Sequence, residues 1–537
     1  MVNTSRILIV LIAIFGILGI VYSWPIFLGV VATTFATIAA WVFMPQILII
    51  LPALLPFHPA LNPTADVDLA AGRLVIIFLA IIGSIYIVYT RKSWFNLSTP
   101  TILIMLFLFW SLFSGIAADD LGRFVRKYLV FLTIFPIYFL VLAFLHRFKD
   151  WEKLFHYWSW SAFVISLIGL GQFLFQFVGG QQTFFKFWGN YVAPILYGTN
   201  AGEAVASNPS WFVGISGVTV LRSIGTFPDP HMLAFFLGMS IPLQVAYVLG
   251  YSLLSSPGQF RFIGAPNHGS VSLESKHMDS RRSSPRVISR GGNDNKKPRN
   301  IKRIMYNALW ILPVLSFSVL LLTFSRGSYV GLAGVVIWLA AYFWRNYPAK
   351  RRQRHIPYGT RQRLAVGVLI ILIFSALLPP VRDRFTSILD VYEGSNKGRL
   401  EIWGEALDIT LNNPVFGVGL GNYASIVRPE AKYREPIYAH NTYLDLSSEI
   451  GIPGAAAWIL TLIWAIKPLF LTETQDFASL QGNKIKYNNY NLAVSLGILW
   501  FSLHAFFETP IFSPQILPLI LVLIAFRAYA QEYISNT

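Results

Sequence analysis

Arginine and histidine stand at the ends of long apolar runs at three places in this 537-residue chain, and in one polar stretch between runs. Arg222 is followed by Gly225-Thr226-Phe227-Pro228-Asp229-Pro230-His231, just before an apolar run. Thr323-Phe324-Ser325-Arg326-Gly327-Ser328 is a short turn between two others. Arg399 lies in Gly398-Arg399-Leu400-Glu401-Ile402-Trp403, and His440-Asn441 opens the run that carries Asp445 and Glu449. A guanidinium is a planar fork of donors that grips phosphate oxygens two at a time and never loses its charge. An imidazole can take a proton from a hydroxyl near neutral pH. A diphosphate is already a good leaving group, so arginines aimed at its developing charge can replace a metal ion. These side chains therefore suit displacement of a diphosphate by an alcohol. No His/Asp cluster with metal-ligand spacing accompanies them, so neither metal nor other cofactor is expected.

Each residue also has a plainer reading. An arginine at a span end can snorkel to the interface, and a histidine at a helix start is usually an interfacial polar group. Glu449 would lie roughly 13 Å below His440 at the rise of an α-helix, a depth at which a carboxylate is expensive and by default functional. Its plainer role is as the partner of an arginine on another helix. Gly417-Val418-Gly419-Leu420-Gly421 lacks the spacing and preceding strand of a dinucleotide site, and reads as a turn with close backbone approach.

The elements that position these groups follow from composition. Hydrophobic residues make up 55% and charged residues 12% of the chain, against about 25% charged in soluble domains. Apolar runs of membrane-spanning length recur throughout. The spacing predicts spans near 26–50, 72–90, 101–117, 128–146, 156–178, 230–254, 305–322, 328–345, 364–379, 441–466, 489–507 and 514–531. Residues 7–22 are a thirteenth candidate. The expected fold is all-α: a polytopic transmembrane bundle of about twelve helices, with a large extracytoplasmic loop containing short helices. There is no cysteine, which excludes disulfides, thiolate nucleophiles and Cys-based metal sites.

The net charge of +17 is not a nucleic-acid footprint. It concentrates in two hydrophilic loops, 255–303 and 345–363, which the positive-inside rule puts in the cytoplasm. Stretches 56–71, 179–229 and 380–440 then face outside, and the arginines and His440 share that side. The poorest fit is 118–127, placed outside although it holds Arg123, Arg126 and Lys127. The Ser-, Gly- and Asn-rich stretch 264–300 cannot bury enough apolar surface to order itself and is expected to be disordered. The chain thus divides into N-terminal spans (1–254), a basic cytoplasmic loop (255–303), a core with the outside loop 380–440 (304–467), and C-terminal spans (468–537).

Phe324 through Ser328, Arg399 through Trp403, Pro414 through Gly421, and His440-Asn441-x9-Gly451-x-x-Gly454 together resemble the O-antigen ligase family, most clearly over about 310–460. The resemblance implies a metal-independent glycosyltransferase in the bacterial inner membrane, with its active site facing the periplasm. It would transfer a glycan from undecaprenyl diphosphate, with inversion, to an acceptor sugar hydroxyl. Matching motifs make His440 the base and Arg326 and Arg399 the diphosphate ligands, with Arg222 added on a shorter match. Glu449, Asn441 and Asp445 take supporting roles. The implied partners are the lipid-linked donor, a glycan or lipid-linked acceptor, and membrane lipids. A repeat polymerase is the close alternative; the Arg222-x15-Gly238 spacing is too loose to decide it. A small-solute transporter, for bicarbonate for example, is the alternative from another class. It should show inverted repeats and broken helices with midplane polar groups; no repeat is visible, and Glu449 is its one support.

The orientation is directly testable, because single cysteines can be introduced into a cysteine-free chain. Cysteines placed in 264–300 should react with a membrane-impermeant maleimide only from the cytoplasmic side; labelling from the opposite side would invert the whole assignment.

Overall fold

The computed structural model describes residues 24–64, 67–90, 97–145, 152–198, 209–215, 217–254, 307–346, 394–430, 437–470 and 482–536. The expected spans at 7–22 and 364–379, the basic loop 255–303, and the loop 345–363 from residue 347 onward lie outside these residues.

The described chain is helical almost throughout. On the N-terminal side are α1 (Trp24–Leu54), α2 (Ala71–Thr90), α3 (Thr99–Phe113), α4 (Leu121–Ile134), α5 (Pro136–Leu145) and α6 (Glu152–Val178). Two short helices follow, α7 (Gln181–Phe187) and α8 (Ala193–Tyr197), joined by a π-turn over Trp188–Val192. Next come α9 (Pro230–Leu254), α10 (Ile311–Leu322) and α11 (Arg326–Asn346). The 380–440 stretch contributes α12 (Gly394–Asn412) and α13 (Tyr423–Val427). The chain closes with α14 (Thr442–Ile466), α15 (Gly482–His504) and α16 (Ile516–Asn536).

Among the described residues, seven helical stretches are long and apolar enough to cross a membrane, with Asn307–Leu322 and Ile516–Gln531 as shorter apolar helices. This is a multi-span helical protein; the expected count of about twelve is not reached among them. The all-α expectation needs a small correction. Two antiparallel hairpins are present, β1 (Ala60–Thr64) with β2 (Val67–Ala70), and β3 (Phe212–Ile215) with β4 (Val218–Leu221). Strands of four or five residues are too short to leave a clear period-two signal.

Helix α16 forms the centre: its side chains from Ile516 to Phe526 are buried, against α5 and α15. A helix apolar on every side must be surrounded by others. Around it pack α9 on α15, α11 on α15, α10 and α1 on α6, and α3 on α14. Proline marks the breaks. Helix α1 bends at Phe43, ahead of Pro45, and Phe135-Pro136 separates α4 from α5 within one span.

The glycine cluster makes the close backbone approach expected of it. Gly417, Gly419 and Gly421 have φ of +64°, +87° and +87°, and Gly451 within α14 has φ of +76°. Val418 N–H donates to Ser448 O at 2.9 Å, and Ile452 N–H donates to Pro414 O at 2.8 Å. The 414–421 segment thus lies along the break in α14, where a Cβ on Gly451 would collide with the backbone of Val415. Gly451→Ala should therefore cost about 1–3 kcal/mol through left-handed strain alone, more with the collision, and lower the thermal midpoint in detergent; an unchanged midpoint would contradict this packing.

Candidate functional site

His440, Asn441 and Arg326 stand at helix starts, Arg222 between β4 and α9, and Arg399 on α12. Asn441 caps α14, its Oδ1 accepting from Tyr443 N–H at 3.0 Å and Leu444 N–H at 3.3 Å. That cap leaves His440 just outside the helix with φ of +50°. Phe324, in the turn between α10 and α11, has φ of +47°. Among the described residues these are the two non-glycines at positive φ, and both belong to segments that carry the predicted site residues. A left-handed non-glycine costs of order 1–3 kcal/mol and persists only where its surroundings enforce it.

The group that joins these segments is Glu508, in the turn between α15 and α16. Its Oε1 accepts from Arg399 Nη2 at 2.9 Å, and its Oε2 lies 3.2 Å from His440 Nδ1. His231 Nδ1 is 3.5 Å from Oε1. The same His231 nitrogen lies 2.9 Å from Ser325 Oγ, which is 3.2 Å from His504 Nε2. Arg222 Nη2 is 3.5 Å from His231 Nε2. Arg222, Ser325, Arg399 and His440, from four distant stretches of sequence, therefore belong to one polar network around one carboxylate.

Local structure explains why each arm is held. Arg222 donates from Nε to Thr323 O at 2.6 Å and from Nη1 to Ser210 O at 2.8 Å, so backbone carbonyls fix its guanidinium. Its segment is held in turn by two glutamines one turn apart on α6. Gln172 pairs with both N–H and C=O of Gly225, and Gln176 does the same with Leu221. Arg399 rides on α12, where Trp403 lies one turn further along. Trp403 Nε1 donates to Ala439 O at 3.0 Å, and its ring packs 6.2 Å from Phe507. The helix is thereby pinned to the residues that precede His440 and Glu508.

Asp445 ties those two partners together. Its Oδ1 accepts from Ala439 N–H at 2.7 Å, and its Oδ2 accepts from the Thr509 hydroxyl. Thr442 Oγ1 donates to Glu508 O at 2.9 Å. Arg326 begins α11 beside Ser325 and is buried. Glu449 lies elsewhere: Lys127 Nζ reaches both its oxygens, at 2.7 and 2.8 Å, and stands 3.7 Å from the centre of the Phe512 ring. The partner of this deep acid is thus a lysine rather than an arginine, and the same pair explains a basic residue in 118–127. Arg123 there pairs with Asp120 at 3.3 Å.

Electrostatics follow from the geometry. The hydrogen bond to Glu508 raises His440 above the ordinary imidazole value, against burial, which lowers it. Burial alone would raise Glu508, but His231, His440 and Arg399 outweigh it and hold this carboxyl well below the usual carboxylate range. Burial, with Glu508 nearby, pushes Asp229 up to about 6. The His440 side chain is 43% exposed while that of Glu508 is 10% exposed. The arrangement is an imidazole anchored through one nitrogen by a buried carboxylate, with guanidinium groups beside it. Among the described residues no group of three or more His, Asp or Glu side chains is disposed to hold a metal ion.

Sequence reasoning misses Glu508, along with His231 and His504. The available signal is faint: Glu508 is a single acid in Phe506-Phe507-Glu508-Thr509-Pro510, a turn that span counting puts on the same side as His440.

Because its folded-state value is raised, His440 contributes stability that is fully present below the unfolded imidazole value, about 6.5, and is lost as pH rises through the raised value. The thermal midpoint of the wild type relative to His440→Gln should fall across that window. Parallel pH curves for the two proteins would contradict the pairing.

No curated protein matches the sequence. A model of the O-antigen ligase family matches residues 311–459. This stretch runs from α10 into α14 and includes Arg326, Arg399 and His440. Residues 311–459 are accordingly similar to the O-antigen ligase family, within a multi-span helical membrane protein.

Proposed function

We propose that this protein transfers a glycan from undecaprenyl diphosphate to a sugar hydroxyl at the periplasmic face, without a metal and with inversion. The observation that carries the reading is the His440–Glu508–Arg399 arrangement within a family whose name is that of a glycan-transferring enzyme. His440 Nδ1 is engaged by Glu508, so Nε2 is the nitrogen that takes the acceptor's proton. The acceptor oxygen forms a bond to the anomeric carbon as the bond from that carbon to the diphosphate oxygen breaks. The electron pair leaves on undecaprenyl diphosphate, whose charge Arg399, Arg326 and Arg222 offset. Glu508 keeps the imidazole in the tautomer with its proton on Nδ1 and stabilises the imidazolium that forms, as a buried carboxylate does for a catalytic histidine elsewhere. A raised imidazole value suits a base working near neutrality.

Arg222 and Arg399 flank His231 and Glu508, and Arg326 opens α11 beside Ser325, which suits an anionic headgroup. Asn441 and Asp445 act through the backbone, one by starting α14 and the other by fixing the two segments that meet at the His440–Glu508 pair. Glu449 supports the helix rather than the reaction.

The test mixes purified protein in EDTA with an undecaprenyl-diphosphate glycan and candidate acceptors. Wild type should form product, and His440→Ala should be slower by about 10²–10⁴-fold, the usual contribution of a general base. Product that depends on added divalent metal would overturn the mechanism. A product ladder without an external acceptor would assign a polymerase.

A further inference from the structure

Residues 181–197 form an outside helical segment that the proposed reaction does not use. It follows the end of α6 after only Gly179 and Gly180, with Gly180 at φ +81° turning the chain. Three Cα steps separate Val178 from Gln181, so the segment begins within about 11 Å of the span end. It also folds back on that span: the Phe184 ring lies 6.1 Å from that of Phe175, and Gln181 Nε2 donates to Gln176 Oε1 at 3.3 Å. The segment therefore starts level with the last turn of α6.

Its surface has three sides. Phe184, Trp188 and Ala193 are buried, packed with Trp211, Leu221 and Ile224. Phe187, Tyr191 and Ile195, each four residues from the next, are 55%, 67% and 62% exposed, and the first two rings are 5.8 Å apart. Gln182, Lys186 and Asn190 form a parallel exposed polar stripe. Phe177 and Val178, apolar residues at the end of α6, are also exposed. An apolar face that includes a tyrosine, beside a polar one, is the pattern of a helix lying in the plane of the membrane interface.

We propose that residues 181–197 lie in the bilayer interface on the side of the Arg222–His440 cluster, with Phe187, Tyr191 and Ile195 seated against phospholipid and Gln182, Lys186 and Asn190 facing water. The structure gives this anchorage a consequence. Tyr197 Oη donates to Phe227 O at 2.6 Å, Trp211 Nε1 donates to Pro228 O at 3.0 Å, and Arg222 N–H donates to Trp211 O at 2.8 Å. The interfacial segment thereby holds the Arg222 segment at a set depth.

The chain lacks cysteine, so Tyr191→Cys, Ile195→Cys and Asn190→Cys each supply a unique attachment point for an NBD fluorophore. These exposed positions can be labelled without disturbing packing. In phospholipid vesicles, a headgroup-proximal nitroxide lipid should quench labels at 191 and 195 several-fold more than the label at 190, and aqueous iodide should show the reverse order. Equal iodide quenching at all three would mean a water-facing stripe and overturn the proposal. Labels at 191 and 195 protected from both quenchers would mean protein covers the stripe, as in a second copy of the chain, and would overturn it equally. None of these readouts depends on glycan transfer.

Discussion

One carboxylate serves two cations that the sequence keeps far apart. Glu508 accepts from Arg399 and pairs with His440, and it does so where it is almost entirely withdrawn from water. Such an arrangement is weak evidence of stability, since desolvation offsets much of the attraction. Its value is geometric. A carboxylate with two oxygens directed at two partners fixes the imidazole and the guanidinium relative to each other. Removing the carboxyl would leave Arg399 without that partner and release the His440 ring.

The helical frame serves this junction by ending helices at one level. Asn441 starts α14 one residue after His440, Asp229 caps α9 two residues before His231, and Arg326 opens α11 directly after Ser325. Short turns between helices allow little drift, so the polar ends come together as a consequence of the packing below them. The 414–421 segment, folded along the break in α14 at Gly451, fixes the 394–430 stretch to the same helix that presents His440. Asp445 completes the frame by binding the chain on either side of the pair. The left-handed conformation of His440 is held in place by these contacts, not by preference of the residue.

Much of this can be read from residue order. Long apolar runs betray their helices because lipid leaves the backbone no other partner, and arginine or histidine at their ends is conspicuous in a chain so poor in charge. The start of α4 is less legible: Arg123 and Lys127 read as loop, whereas they lie in the first turns of a helix, paired with Asp120 and Glu449. Glu449 is conspicuous by depth, yet its lysine lies 322 positions away, so residue order cannot name the partner. Glu508 is the hardest. An acid in a short turn has no periodicity and no motif, and its meaning comes only from partners at positions 231, 399 and 440 that the fold brings to it. Periodicity reports which way a helix faces; it does not report which helices are neighbours.

The pH dependence of kcat/KM for glycan transfer, compared between the wild type and Glu508→Gln, probes the His440–Glu508 pair. If the carboxylate holds and stabilises the His440 imidazolium, the variant should be slower and the acidic limb of its profile should move to lower pH. A slower variant with its acidic limb unmoved would contradict the pairing, and would reduce Glu508 to a structural partner of Arg399.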